Sequence, residues 1–377
     1  MDVFMAVVVA AAAARLQGLG GLEPQRLYNG VARPVMIGVP TPSGTGEMTL
    51  ALMDFKGNPL APPAAVRPGL VDVAALVPEI WRIPRACFLQ LLVADRPAGS
   101  ALVLQPMRSR LVPIAEEAVN PSGMRYTKIV GWKSEFAQET EPIPPPEPDD
   151  GKHAEEVDGQ PQVSPPTGDV AMQRRLLSGL RIYPERDVVL HTSKGDIRLA
   201  MRPDHAPNTV WNFLNLGQGG FYRDVIFHRV VPFTRAGDPF VIQAGDPTGT
   251  GTGGPGFWLP IEPSRLPHDF GVISMARDMP PDSAGSQFFI CLSRRGTARL
   301  DGHYCAFGYA VEGAEVIRAI AAVELTAVAS QRPAHPPVIE AVQLVAAPPR
   351  TPGQGRPDRP VAETINPAET QPQRVPR

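Results

Sequence analysis

Proline decides where this chain is able to fold. Eight of its 45 prolines lie in the 33 residues from Phe136 to Gly168, and another eight in the 32 residues from Ala346 to Arg377. Both stretches are polar and almost free of large apolar side chains. They bury too little surface to offset the entropy of ordering, so they read as a linker and a disordered tail. Elsewhere the chain is different: 43% of its 377 residues are hydrophobic, enough for a sizeable core. Five segments follow. Residues 1–24 are a signal-like or disordered N-terminus, and 25–135 a β-rich domain of unknown function. Residues 136–186 are a Pro-rich, acidic linker with room for a short helix, 187–345 a second globular domain, and 346–377 a Pro-rich tail.

Charge excludes one class of partner. Thirty-six basic residues against 38 acidic ones give a net charge of −2, without the basic footprint of a nucleic-acid binder. Cys87, Cys291 and Cys305 have neither a disulfide framework nor metal-ligand spacing, and read as buried thiols. Val3–Ala14 is an apolar run of twelve residues, whereas a bilayer span needs ~20. No integral membrane span is expected. The run suits a signal-peptide core, although Asp2 precedes it and no Lys or Arg does; an extracytoplasmic location is favoured over a cytoplasmic one.

Residues 25–135 read as a small β-sandwich-like domain, with strands at Pro34–Val39 and Met48–Leu52. Cys87–Val93 and Ser100–Leu104 form a hairpin about the turn Arg96-Pro97-Ala98-Gly99, and Leu111–Ile114 and Tyr126–Val130 form a further pair. No catalytic constellation is visible there; a protein partner is the role left open for it. After the linker come a hairpin at Val188–Met201 and a helix opened by Asp204-His205-Ala206-Pro207 and ended by Gly217. Strands follow at Val225–Val231, Phe240–Gln243, Gly271–Met275, Gln287–Leu292 and Ala306–Ala310. A helix at Ala314–Val323 precedes a last strand, Val338–Val345. About eight antiparallel strands with two helices make a closed barrel capped at its ends.

Gly249–Gly254 contains G-x-G-x-x-G, but no helix follows it, so it is a glycine-rich loop and not a dinucleotide site. Neither an HExxH nor a G-x-S-x-G motif is present. What remains is an ordered series of blocks: Phe227-His228-Arg229-Val230-Val231, Phe240–Pro247, Gly251–Gly254, Ser274–Arg277, Gly285–Ile290 and Leu300–Gly308. Together they resemble the cyclophilin family of peptidyl-prolyl cis-trans isomerases, over about Asp187 to Val345.

The resemblance implies a mainly β fold, a closed eight-stranded antiparallel barrel capped by two helices. It implies rotation about X–Pro bonds of protein substrates as the activity, in unfolded or loop segments, and no cofactor or metal. Arg229 matches the family's catalytic arginine. Phe240, Val241, Gln243, Phe289 and Leu300 match its proline pocket, Ala276 and Arg277 its backbone rim, and Tyr304 a position where many members carry histidine. About six residues are inserted between Pro232 and Phe240, so Phe233 competes with Phe240 for the pocket wall. Arg299 stands where the best-known eukaryotic members carry tryptophan.

Overall fold

The computed structural model describes residues 21–31, 33–42, 46–83, 85–108, 111–119, 125–134, 177–262, 264–327 and 329–357. The apolar run at Val3–Ala14 and the prolines from 142 to 166 lie outside them. Among the described residues no helix is long and apolar enough to cross a membrane.

The fold is mainly β. Its largest sheet has nine antiparallel strands, in the order Val225–Ile226, Val338–Ala346, Arg186–Thr192, Gly195–Met201, Ala306–Glu312, Val272–Met275, Phe288–Cys291, Pro239–Ala244 and Arg229–Phe233. Nine appear instead of eight because Val225–Val231, expected as one strand, divides at Phe227–His228. Val225–Ile226 pairs with Val338–Ala346, and Arg229–Phe233 pairs with Pro239–Ala244. The two ends of the sheet order are thus joined by two residues. Val188, Leu190, Ile197, Leu199, Val230, Ile242, Ile273, Phe288 and Ile290 fill its inner side, together with Phe213 and Ile317 from the two longer helices.

Those helices span Pro207–Gln218 and Ala314–Ala321. Pro207 takes the first helical position, where its missing N–H costs nothing. The cap comes from Glu262, whose carboxylate accepts from the N–H groups of Asn208 and Thr209 at 3.1 and 2.7 Å. Gly217 does not end the helix. It lies inside it, and its lack of a side chain admits the last strand, since a Cβ there would stand 2.7 Å from Val342 Cγ1.

The N-terminal strands form two further sheets. One has three strands, Glu23–Pro24, Met36–Val39 and Gly69–Asp72; the other has six, in the order Tyr28–Gly30, Leu177–Pro184, Arg96–Arg108, Cys87–Val93, Met48–Met53 and Ala64–Ala65. Leu50, Leu52, Leu89, Leu91, Leu102 and Leu104 pack on one face with Ile37 and Val39 of the smaller sheet. Met53, Phe88, Leu92 and Val103 point the other way and join the core of the nine-stranded sheet. Burial on both faces is why Cys87–Val93 is apolar at every position but Gln90. The described residues from 21 to Pro106 and from Gly179 to 357 accordingly form one compact unit. In a second unit, among the described residues between Met107 and Ser178, Leu111–Val119 pairs antiparallel with Arg125–Ser134.

Three sequence expectations are corrected. The hairpin after Val93 turns at Ala94-Asp95, both left-handed at φ 47° and 61°, the geometry that matches strand twist. Arg96–Ala98 lies inside the strand, opposite Val93–Leu91. Leu177–Pro184, placed in the linker, is a strand whose Leu180 and Ile182 enter the core shared by the two N-terminal sheets. The chain after Val345, read as tail, is packed as far as Pro357, and residues 358–377 lie outside the described ones.

Buried charge explains this last difference. Arg350 reaches Glu185 through two hydrogen bonds of 2.8 and 2.7 Å, and its guanidinium lies 3.2 Å from the centre of the Phe88 ring. Its backbone N–H donates to Gln90 Oε1 at 2.8 Å. Arg356 stands 3.3 Å from Glu185 and 3.6 Å from Asp187, and the Pro357 carbonyl accepts from Arg202 and Tyr309. Burial pushes the Asp187 carboxyl up to about 6 against the pull of Arg356. Replacing Arg350 by alanine leaves Glu185 buried without its fork. We expect a loss of about 3–5 kcal/mol of stability, read as a lowered urea midpoint; an unchanged midpoint would show that the pair holds nothing together.

Candidate active site

Cross-strand register builds the site. Arg229 lies opposite Gln243, Val230 opposite Ile242 and Val231 opposite Val241; Gln243 in turn lies opposite Phe289. Val230 and Ile242 are fully buried in the inner core, so by strand alternation Arg229, Gln243 and Phe289 share the outer face. A separate apolar cluster lies on that face, containing Val231, Val241, Phe289, Cys291 and Leu300. Above it opens a pocket of about 470 Å³. All nine residues expected from the sequence line it: Arg229, Phe240, Val241, Gln243, Ala276, Arg277, Phe289, Leu300 and Tyr304.

The apolar part is held from behind. Phe289 stacks on His268 at 6.0 Å and meets Tyr304 edge-on at 5.6 Å. His268 is wedged between Asp301, 3.0 Å from Nδ1, and Ser274, 2.9 Å from Nε2; burial lowers its pKa in spite of Asp301. The two aromatics of Gln287-Phe288-Phe289 divide between the faces, with Phe288 packed edge-on against Phe213 inside. Arg299 lies 4.9 Å over the Phe240 ring, and Arg277 4.7 Å over that of Tyr304. Ala276 uses its N–H to reach the Gln287 carbonyl at 2.9 Å.

The insertion before Phe240 lengthens a hairpin. Phe233 pairs with Pro239, and Thr234 N–H closes the turn on the Asp238 carbonyl at 2.7 Å. Extra residues added beyond the last pair leave the Arg229–Gln243 register untouched. Phe233 is 45% exposed and does not line the pocket; Phe240 does.

Arg229 is fixed at two points. Its Nε donates to Gln331 Oε1 at 2.7 Å and its Nη1 to Gln243 Oε1 at 2.9 Å. Gln243 Nε2 donates to Gln287 Oε1 at 3.0 Å, and Gln287 Nε2 to the carbonyls of Gly251 and Gly253 at 2.9 and 3.0 Å. Burial lowers the pKa of Arg229, but a guanidinium remains charged. The site therefore presents an apolar floor with the Arg229 guanidinium held in a fixed orientation beside it. Gln287, Gln331 and His268 were not singled out from the sequence. Gln287 lies within the Gly285–Ile290 block; Gln331, 102 residues from Arg229, lies in none of the blocks.

The glycine-rich loop wraps a carboxylate. Asp246 Oδ1 accepts from the N–H and hydroxyl of Thr248, both at 2.7 Å, and Oδ2 from the N–H groups of Gly251 and Gly253 at 2.5 and 3.1 Å. A Cβ on Gly253 would collide with that carboxylate. Burial alone would raise the Asp246 carboxyl, but these bonds pull it down to about 2. The group's stabilising effect is full above its unfolded value of about 3.9 and is lost as pH falls toward about 2. In an acid titration followed by NMR, the Gly251 and Gly253 amide resonances should move near pH 2; movement centred at about 3.9 would contradict the loop's dependence on Asp246.

With this geometry in view, comparison with known proteins is direct. A family model for cyclophilin type peptidyl-prolyl cis-trans isomerases matches residues 187–344. A peptidyl-prolyl cis-trans isomerase of Synechococcus elongatus is 44% identical over 134 residues, covering 35% of this chain and 86% of that protein. A probable peptidyl-prolyl cis-trans isomerase A of Mycobacterium bovis is 37% identical over 172 residues, covering 41% and 90%. A solved cyclophilin type isomerase of Cryptosporidium parvum covers 43% of this chain and 99% of its own, at 31% identity and a TM-score of 0.39. On the extent of the sequence matches, this chain belongs to the cyclophilin-type peptidyl-prolyl cis-trans isomerase family.

Proposed function

We propose that residues 187–345 rotate X–Pro peptide bonds in unfolded or loop segments of protein substrates, and so assist folding, with Arg229 as the catalytic residue. The observation that carries this is the doubly held guanidinium of Arg229 at the edge of a pocket whose apolar part is lined by Phe240, Val241, Phe289 and Leu300. Counting Val225–Phe233 as a single strand, the nine-stranded order reduces to a closed eight-stranded barrel, the frame we infer for the site.

Rotation about X–Pro is slow because the twist breaks amide resonance, a barrier of ~18–20 kcal/mol. Nothing has to be bonded covalently; the site has only to favour the twisted amide. In the twist the prolyl nitrogen turns pyramidal and accepts a hydrogen bond that the planar amide refuses. Arg229 supplies a donor that gains strength only there, which is differential binding of the transition state. Its Nε and Nη1 are occupied by Gln331 and Gln243, so the guanidinium needs no reorganisation when the substrate twists. Phe240, Phe289 and Leu300 hold the ring while the preceding carbonyl swings. The same apolar walls favour the twisted amide, which is less polar than the planar one.

The N-terminal strands have a structural role in this reading. One face of their larger sheet is part of the isomerase core, so they act as a fixed buttress.

A charge-assisted hydrogen bond is worth ~1.5–3 kcal/mol, or about one to two decades of rate at ~1.36 kcal/mol per decade. Arg229→Ala should lower cis/trans exchange of an Ala-Pro-Phe-type peptide by roughly ten- to a hundredfold. Arg229→Lys should not restore it, since an ammonium lacks the fork that both glutamines grip. Equal exchange rates for wild type and Arg229→Ala would sink the catalytic assignment.

A further inference from the structure

Gln331 reaches the site from outside every sequence block that identifies it. It sits on the loop between the Ala314–Ala321 helix and the last strand, and its backbone is left-handed, at φ 54°. That conformation is uncommon for a residue other than glycine, asparagine or aspartate, and it costs energy unless the surroundings impose it. Here they do. The loop is closed by Leu325 against Pro333 and by Thr326 N–H on the Arg332 carbonyl at 2.9 Å. The Thr326 and Ser330 hydroxyls meet at 2.9 Å.

From this braced position Gln331 grips the Arg229–Phe233 strand twice. Its carbonyl accepts from the Val230 N–H at 2.7 Å, and its side-chain oxygen accepts from Arg229 Nε at 2.7 Å. Next to it, Arg332 Nη1 donates to the Gly249 carbonyl at 2.9 Å. The loop thus ties the arginine to the glycine-rich loop by a second route, separate from the Gln243–Gln287 path.

We propose that Gln331 is a positioning residue for the isomerase reaction, fixing the guanidinium plane of Arg229 so that its remaining donors face the prolyl nitrogen. This rests on the catalytic reading of Arg229 above. Gln243 alone holds one Nη and leaves the guanidinium able to swing about that contact; a second acceptor on Nε removes the swing. Orientation of this kind acts on the transition state more than on ground-state binding, so its loss lowers kcat and spares KM.

The substitution Gln331→Gly separates side chain from backbone. Glycine adopts φ 54° without strain and keeps the carbonyl that receives Val230 N–H, so the melting temperature should hold or rise. Gln331→Glu keeps an acceptor at the same reach. The full chain is assayed by NMR exchange on an Ala-Pro-Phe-type peptide, with the Arg229 Nε–H resonance followed in parallel. Gln331→Gly should lower kcat roughly three- to tenfold, the size of one hydrogen bond, with KM unchanged and the Nε–H resonance displaced. Gln331→Glu should restore the rate. Three results overturn the inference: wild-type kcat in Gln331→Gly while Arg229→Ala is impaired, a rate loss with an unmoved Nε–H resonance, or equal losses in the glycine and glutamate variants. Arg229→Ala as active as wild type would instead remove the arginine's role, and this one along with it.

Discussion

Strand alternation puts Arg229 where it is. Val230 and Ile242 face each other in the interior with no exposed surface, and their neighbours must therefore face outward. A slip of one residue between Arg229–Phe233 and Pro239–Ala244 would exchange the two sets. It would carry a guanidinium into a cluster of Val, Ile and Phe side chains, and an unpaired charge buried there costs several kcal/mol. The apolar residues thus enforce the placement of the polar ones. The inserted hairpin tip at Thr234–Asp238 is tolerated for the same reason, since it adds length beyond the last pair and shifts no register.

A second constraint acts at the other end of the molecule. The six-stranded sheet is covered on both faces, and its Leu177–Pro184 strand runs into carboxylates that water does not reach. Glu185 and Asp187 stand at the passage from this sheet to the nine-stranded one. Two buried carboxylates so close to each other need cations, and Arg350 and Arg356 bring them from the far end of the described chain. The segment from Ala347 to Pro357 is ordered by this demand without any regular secondary structure. Proline serves it well, because the backbone N–H it lacks would otherwise need a partner, while its carbonyl remains free to accept from Arg202 and Tyr309.

These features differ in how far the sequence discloses them. The outer face of the site was legible because Arg229, Gln243, Phe289 and Tyr304 sit in contiguous blocks whose order is distinctive. Their gathering in one pocket needs only correct strand pairing. The Pro-Gly pair at 97–99 misled because turn propensity is local, while the Ala94-Asp95 turn was selected by the strand twist on either side. Leu177–Pro184 was hidden by its neighbours' composition, although the alternation of Leu180 and Ile182 was there to see. The packed segment after Val345 was not legible at all. Its order comes from Arg350 meeting Glu185, 165 positions earlier, with Arg356 beside it, and no window of sequence contains both sides of the contact. Gln331 is the same case on a smaller scale.

Hydrogen-bond polarity explains why the site uses glutamines in this order. The carbonyls of Gly251 and Gly253 only accept, so the Gln287 amide must turn its NH₂ group to them. Its oxygen then faces Gln243 and has to receive the NH₂ of that side chain. The Gln243 oxygen is left pointing at Arg229, and a guanidinium, which has donors and no acceptor, is the group that fits there. Each amide orientation follows from the one before, starting at two backbone carbonyls whose own position is set by Asp246. Gln331 closes the circuit from the other side by offering a second oxygen to the same guanidinium. A lysine at 229 would satisfy the charge but not both acceptors in one plane, and a glutamate at 287 would have no NH₂ to give the loop. The glycine-rich loop, whose G-x-G-x-x-G pattern marks no dinucleotide site, is the fixed end of a chain of donors that terminates at the arginine.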